Sequence, residues 1–174
     1  YKARACVLGN LTKDGELNVF APVVSLAGVR FCLFGGASSG DHFIQFDIDN
    51  AFVQATIDER VLVRLPAEFR EKNSSGIKAL QKALYGLKQS PKIFHKAYSR
   101  ALARLSWVEC LSCPGLWKKR SSTKRGIYMK LLVYVDDNWL SGPDYEKLSS
   151  EIVRVNAVFK GKVIPPVWDG KWQV

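Results

Sequence analysis

The sequence predicts an α+β fold, an antiparallel sheet with helices packed on one face, and three stretches carry that expectation. HFIQFDI, residues 42–48, has the length and β-propensity of a strand with apolar side chains on both faces. SPKIFHKAYSRALARL, residues 90–105, repeats apolar side chains at helical spacing. IYMKLLVYV and NWLSG, residues 127–135 and 138–142, read as the two arms of a hairpin.

From the N-terminus, VVSLAGVRFCLFGGA (23–37) is the best candidate for a membrane span, but it is too short and carries Arg30 at its middle. GGASSG (35–40) lacks the Gly-Lys-Ser/Thr ending of a phosphate-binding loop and reads as a turn. The strand 42–48 carries Asp47 near its C-terminal end. VLVRL (61–65) alternates in strand fashion and stops at Pro66, and REKNSSGIK (70–78) is a polar loop. For the helix, Ser90 is the expected N-cap and Pro91 suits the first helical position. Its apolar face comprises Ile93, Phe94, Ala97, Tyr98, Ala101, Leu102 and Leu105. Lys92, Lys96, Arg100 and Arg104 recur at every fourth position along the flank, where like charges repel and weaken an isolated helix. A phosphate backbone lying across the stripe would relieve that repulsion; ordinary solvation of the four side chains is the alternative. KRSSTKRG (119–126) is a loop before the hairpin, and Asp136 and Asp137 fall at or near the hairpin's turn.

With 174 residues, 47% hydrophobic and 11% aromatic, the chain can bury one domain-sized core and does not have a disordered composition. It has no internal repeat, low-complexity tract or signal peptide, and a start at Tyr1 in mid-pattern is what a fragment would show. Four cysteines in a chain of this size do not suggest a disulfide framework, so a reducing, intracellular setting is expected. Cys110 and Cys113 form a lone CxxC, with only His42 and His95 elsewhere, and a zinc centre is not expected. Trp107, Trp117 and Trp139 are expected to pack rather than to stack on bases. The net charge of +10 is uneven: residues 61–130 hold 16 Lys and Arg against 3 Asp and Glu. Such asymmetry fits a polyanion-binding surface beside a separate group of carboxylates, or equally a solvated basic face.

LLVYVDDNWLSG (131–142) sets Asp136 and Asp137 between two apolar runs. Burying ionised carboxylates requires a compensating cation or hydrogen bonds. Successive residues of a flat strand point to opposite faces, so the two converge only where a tight turn breaks the period. Asp47, ending a neighbouring strand, would bring a third carboxylate to the same place. Hard oxygen ligands suit Mg2+ or Mn2+, and magnesium takes one or two protein carboxylates and completes its shell with water and substrate phosphates. Two such ions about 3.5–4 Å apart activate an attacking hydroxyl and stabilise a leaving oxygen in phosphoryl transfer. An Asp-Asp pair alone is also common in solvated turns. The apolar run before it, Asp47 and the intervening basic surplus raise the case for a nucleotidyl-transfer site.

FAPVVSLAGVR (20–30), QFDIDNAFVQATIDERVLVRLP (45–66), KALYGLKQSPKIF (82–94) and LLVYVDD (131–137) resemble the reverse transcriptase domain of copia-type long-terminal-repeat retrotransposons. YKARACVLGN resembles the basic strand that begins that domain, and the resemblance covers residues 1–155. It implies a reverse-transcriptase-like palm and fingers, and an RNA-directed DNA polymerase extending a DNA or RNA primer on an RNA template from dNTPs with Mg2+ (or Mn2+). Carried over by motif, Asp47 and Asp136 are the catalytic, metal-holding carboxylates, the first bridging two ions and the second aligning the primer 3′-hydroxyl. Asp137 is the accompanying carboxylate, and Asp49 is implied to be a non-ligand. Phe52 stands where an aromatic ring selects against a ribose 2′-hydroxyl. The loop of Gly86, Lys88, Gln89, Ser90 and Pro91 is implied to lie near the incoming nucleotide and template. Gly86 would allow close backbone approach to a ligand. Lys2 and Arg4 resemble residues that hold the triphosphate. Relatives carry an acidic residue where this chain has Cys113.

Residues 156–174 diverge from the family's continuation, and no thumb, connection or RNase H region is legible. Two contexts fit. One is a piece of a larger polyprotein, in a cytoplasmic retrotransposon particle or the nucleus. The other is a captured, catalytically inactive fragment serving as a basic RNA-binding or structural component of a ribonucleoprotein, an organellar one included. Neither calls for a membrane.

Overall fold

A computed structural model describes residues 5–9, 19–121 and 128–165. Lys2 and Arg4 lie outside the described residues, as does most of the loop expected at 119–126. In chain order the elements are α1 (Leu26–Ser38), β1 (His42–Ile48), α2 (Ala51–Gln54), β2 (Leu62–Arg64), β3 (Ile77–Ala79), α3 (Ser90–Arg104), β4 (Val108–Glu109), β5 (Leu116–Arg120), β6 (Tyr128–Tyr134), β7 (Asp137–Gly142), α4 (Tyr145–Asn156) and β8 (Gly161–Ile164). They divide into two compact units, one of Tyr1–Ala21 and Phe52–Ala97, the other of Pro22–Ala51 and Tyr98–Val174.

The larger unit is built on a six-stranded sheet of order β4-β5-β6-β7-β1-β8, in which every pairing is antiparallel. Side chains alternate between its faces, and both faces are covered. On one, Leu132 of β6 meets Val24 and Cys32, and Gly36 of α1 lies so close to the Phe43 ring that a Cβ would sit 2.6 Å from it. On the other, the second half of α3 reaches β7 through Tyr98 and Asn138, and Leu148 of α4 lies against Gly142. Helices on one face alone is therefore corrected. The central strands carry apolar side chains on both sides, and each side needs a cover.

Helix α1 also corrects the turn expected at 35–40, because Gly35 to Ser38 continue the helix and only Ser39 and Gly40 turn. Ser25 caps its start, accepting from Gly28 N at 3.1 Å. Asp144 caps α4 in the same way, accepting from Lys147 N at 3.1 Å. Glu151 of α4 is buried but fully engaged, with Lys119 at 2.7 Å, Arg154 at 2.8 Å and the Trp107 indole at 3.1 Å.

In the smaller unit, β2 and β3 pair as a ribbon that continues through Thr56 and Lys82. The polar loop expected at 70–78 therefore ends two residues early, where Ile77 and Lys78 enter β3. Ser90 is not the cap of α3. The first helical hydrogen bond runs from Ile93 N to Gln89 O, at 3.0 Å. The Ser90 hydroxyl instead donates to Leu84 O at 2.6 Å and accepts from Leu84 N at 3.2 Å, pinning the preceding loop to the helix start.

Candidate active site

Asp47 and Asp137 are direct partners across β1 and β7. Ile48 N donates to Asp136 O at 2.9 Å, a bond made by the residues flanking that pair. The pair itself is thus of the non-hydrogen-bonded kind, with Cα atoms about 4.5 Å apart and both side chains on one face. Asp136 stands beside them in the turn. Val135 and Asp136 alone join β6 to β7, and Tyr134 pairs with Asp137. Both aspartates thus lie at or near the turn as expected, Asp136 within it and Asp137 opening the strand.

That turn is strained at Val135, which has φ +57. Two-residue hairpin turns with a positive φ at the first central position ordinarily place glycine there. A β-branched residue in that region costs about 1–3 kcal/mol and persists only where its surroundings impose it. A buried relay supplies the imposition. Tyr98 of α3 donates its hydroxyl to Asn138 Oδ1 at 3.0 Å, and Asn138 Nδ2 donates to the Asp136 carbonyl at 2.8 Å. Asn138 is fully buried and Tyr98 nearly so. Neither carries a functional motif in the sequence, although an Asn within the apolar run of a strand is a signal that a partner must exist.

Like charges directly opposite on a sheet repel. The Asp137 carboxyl is accordingly pushed above the ordinary carboxylate range, by partial burial first and then by Asp136 and Asp47. Lys162, Asp47's partner on β8, brings its ammonium to 3.7 Å of Asp47 Oδ2 but remains largely exposed. An exposed ion pair of this kind contributes little. Among the described residues no group of three or more His, Cys, Asp or Glu is arranged to close around a metal ion. What the carboxylates offer is a set of hard oxygen donors that remain partly or fully exposed, the partial shell magnesium takes when water and phosphates complete it. Beside Asp137 on the same face is a hollow of about 240 Å³ lined by Gln45, Leu132, Tyr134, Trp139 and two valines before and within α1. Trp107 and Trp117 are core residues, whereas Trp139 is 38% exposed and forms part of that wall.

The remaining sequence candidates lie in the smaller unit or along α3. Phe52 is held by Tyr85 and Phe94, with ring centroids at 4.9 and 6.2 Å. Gly86 has φ +89, and a Cβ there would collide with the Val7 carbonyl. Its freedom serves approach of the chain's own backbone at Val7, while Gly86 itself stays exposed. Lys88 and Gln89 are half-buried. Ser90 is fully buried with its hydroxyl engaged at Leu84, which removes it as a nucleic-acid contact. Of the basic stripe, Lys96, Arg100 and Arg104 are exposed and Lys92 is half-buried. Lys96 reaches Asp58 at 3.8 Å.

Among known proteins, the family described as reverse transcriptase (RNA-dependent DNA polymerase) matches residues 1–168. The chain is 30% identical over 165 residues to a retrovirus-related Pol polyprotein from transposon RE1 of Arabidopsis thaliana, covering 93% of this chain and 11% of that one. It is 31% identical over 147 residues to the corresponding polyprotein from transposon TNT 1-94 of Nicotiana tabacum, covering 83% and 11%. A putative transposon Ty5-1 protein of Saccharomyces cerevisiae is 30% identical over 113 residues, covering 63% and 36%. The chain spans about a tenth of the length of the two plant polyproteins. No solved structure matches.

Proposed function

Because the chain belongs to the reverse transcriptase family, as a copia-type domain, we propose that it is the polymerising core of an RNA-directed DNA polymerase, adding dNTPs to a primer on an RNA template. The observation that supports this most is the Asp47–Asp137 cross-strand pair with Asp136 in the adjoining turn. In this reading the larger unit is the palm and the smaller one the fingers.

Asp47, Asp136 and Asp137 would hold Mg2+ (or Mn2+), which when bound activates the primer 3′-hydroxyl and neutralises charge on the leaving phosphates. The protein's own part is to fix the donors. Tyr98 and Asn138 hold the carbonyl of Asp136, and Ile48 holds it from the other strand. The Phe52 ring, wedged by Tyr85 and Phe94, is rigid enough to exclude a ribose 2′-hydroxyl. Lys92, Lys96, Arg100 and Arg104 would follow a phosphate backbone.

The test is single-nucleotide addition by the full chain on a primed RNA template with Mg2+ or Mn2+. Asp136→Asn is expected to reduce it by at least about 100-fold, the scale on which losing one group aimed at developing charge acts, with the circular dichroism spectrum unchanged. Addition that survives Asp136→Asn would overturn the catalytic reading. The surplus of basic residues favours a second reading, an RNA-binding component of a ribonucleoprotein. It predicts RNA affinity indifferent to Asp136→Asn and no addition by the wild type while it binds primed template.

A further inference from the structure

Next to the hollow beside Asp137, with which they share Val24 and Leu132, three thiols gather where α1 meets the loop between β4 and β5. Cys113 N donates to Cys110 O at 3.2 Å, closing a β-turn, and the loop is tied again by Cys110 N to Leu116 O at 2.8 Å. A β-turn holds its end Cα atoms within about 7 Å, overlapping the 4.4–6.8 Å range that a disulfide requires. Cys113 leans on α1, where a Cβ on Gly28 would sit 2.6 Å from its Sγ. One helical turn further on, Cys32 is only 2% exposed, in a cluster with Val24 and Leu132 against which Cys113 packs. The lone CxxC of the sequence thus has a third thiol behind it, which only the packing of α1 discloses.

Cys110 and Cys32 differ in chemical state. Cys110 has its Sγ 3.3 Å from the Ser112 hydroxyl, and hydrogen bonds from Ser112 hold its thiol below the usual range. Burial pushes the Cys32 thiol up, and the two loop cysteines add to that. The thiolate is the nucleophile, so Cys110 is the reactive thiol and Cys32 the inert one.

We propose that Cys110 and Cys113 form a reversible redox site, a dithiol that a hydroperoxide converts to a disulfide while Cys32 remains a thiol. The Cys110 thiolate attacks the peroxide, forming an S–O bond as the O–O bond breaks, and the departing alkoxide or hydroxide takes a proton. Cys113 then attacks the Cys110 sulfur, forming S–S as S–O breaks, and its proton leaves with the hydroxide as water. Two thiols and one hydroperoxide give one disulfide, one alcohol (or water) and one water. A dithiol reductant reverses the sequence by exchange.

The probe is hydrogen peroxide on the purified full chain, read by peptide mass spectrometry under non-reducing conditions. Cleavage after Arg104 and Lys118 places both loop cysteines in one peptide, which should lose two hydrogens and regain them with dithiothreitol. Cys113→Ser should instead accumulate a dimedone-trapped sulfenic acid at Cys110, and Cys32→Ala should leave the loop disulfide intact. Iodoacetamide should modify the partly exposed Cys110 faster than the buried Cys32. A Cys32–Cys113 or intermolecular product, no mass change in the loop peptide, or Cys110 no faster than Cys32 would each overturn the proposal. None of these readouts depends on nucleotide addition, so the polymerase reading stands or falls separately.

Discussion

Asp137 and Asp47 face each other in the closer kind of antiparallel pair, and the price is electrostatic. A carboxyl whose pKa is higher in the folded chain than in the unfolded one binds its proton better when folded. Its contribution to stability is full below the unfolded value and is lost as pH rises through the folded one. In the presence of a chelator, Asp137→Asn should therefore raise the melting temperature at neutral pH, and the gain should shrink as pH falls to the carboxylate's ordinary 3.8. Thermal melts across a pH series check this; a gain that does not vary with pH would place the repulsion elsewhere. At this scale the motif was legible, because two carboxylates interrupt an apolar run and a third ends another strand. Which aspartate pairs with Asp47 was not, since that depends on a two-residue turn and on strand register. Ser90 misleads for a related reason: its partner, Leu84, is set by how the preceding loop folds back rather than by helical pattern.

The contact between α3 and the hairpin is carried by hydrogen bonds as well as apolar burial. Tyr98→Phe would leave Asn138 Oδ1 without its Tyr98 donor and should cost about 1–3 kcal/mol. Asn138→Leu should be costly alone, but less so in the Tyr98→Phe background, because removing both partners leaves no stranded polar atom from this bond. Urea unfolding of the two single variants and the double variant gives the coupling, and simple additivity would show that the bond does not link the helix to the turn. β1, β2, α3 and the hairpin were legible from apolar spacing. Helix α1 was not, because its buried positions are Gly28, Cys32 and Gly36 while Leu26, Phe31 and Phe34 stay exposed. The small residues let it lie close to the sheet, the reverse of the usual amphipathic pattern. β3 and β8, at three and four residues, carry too little pattern to announce themselves.

Across the whole molecule the charge of +10 is concentrated in residues 61–130, and part of it runs along α3. If those side chains meet phosphates, RNA affinity should fall linearly with salt on logarithmic axes. Replacing Arg100 and Arg104 with Gln should then flatten the slope by roughly 1.4–1.8, at about 0.7–0.9 per neutralised phosphate. Fluorescence anisotropy with labelled RNA over a salt series checks this, and an unchanged slope would assign the stripe to solvent. The charge surplus was legible from composition alone; its arrangement along one helix needed only the spacing of four residues.

Among the described residues the six-stranded sheet ends on one side at β4, a strand of two residues, and on the other at β8, whose four residues run straight into Pro165. A stray segment seeking a template finds barely one or two rungs there, and at Pro165 an imide nitrogen with nothing to donate. At these two edges the ladder by which flat sheets grow into fibres has little to start from.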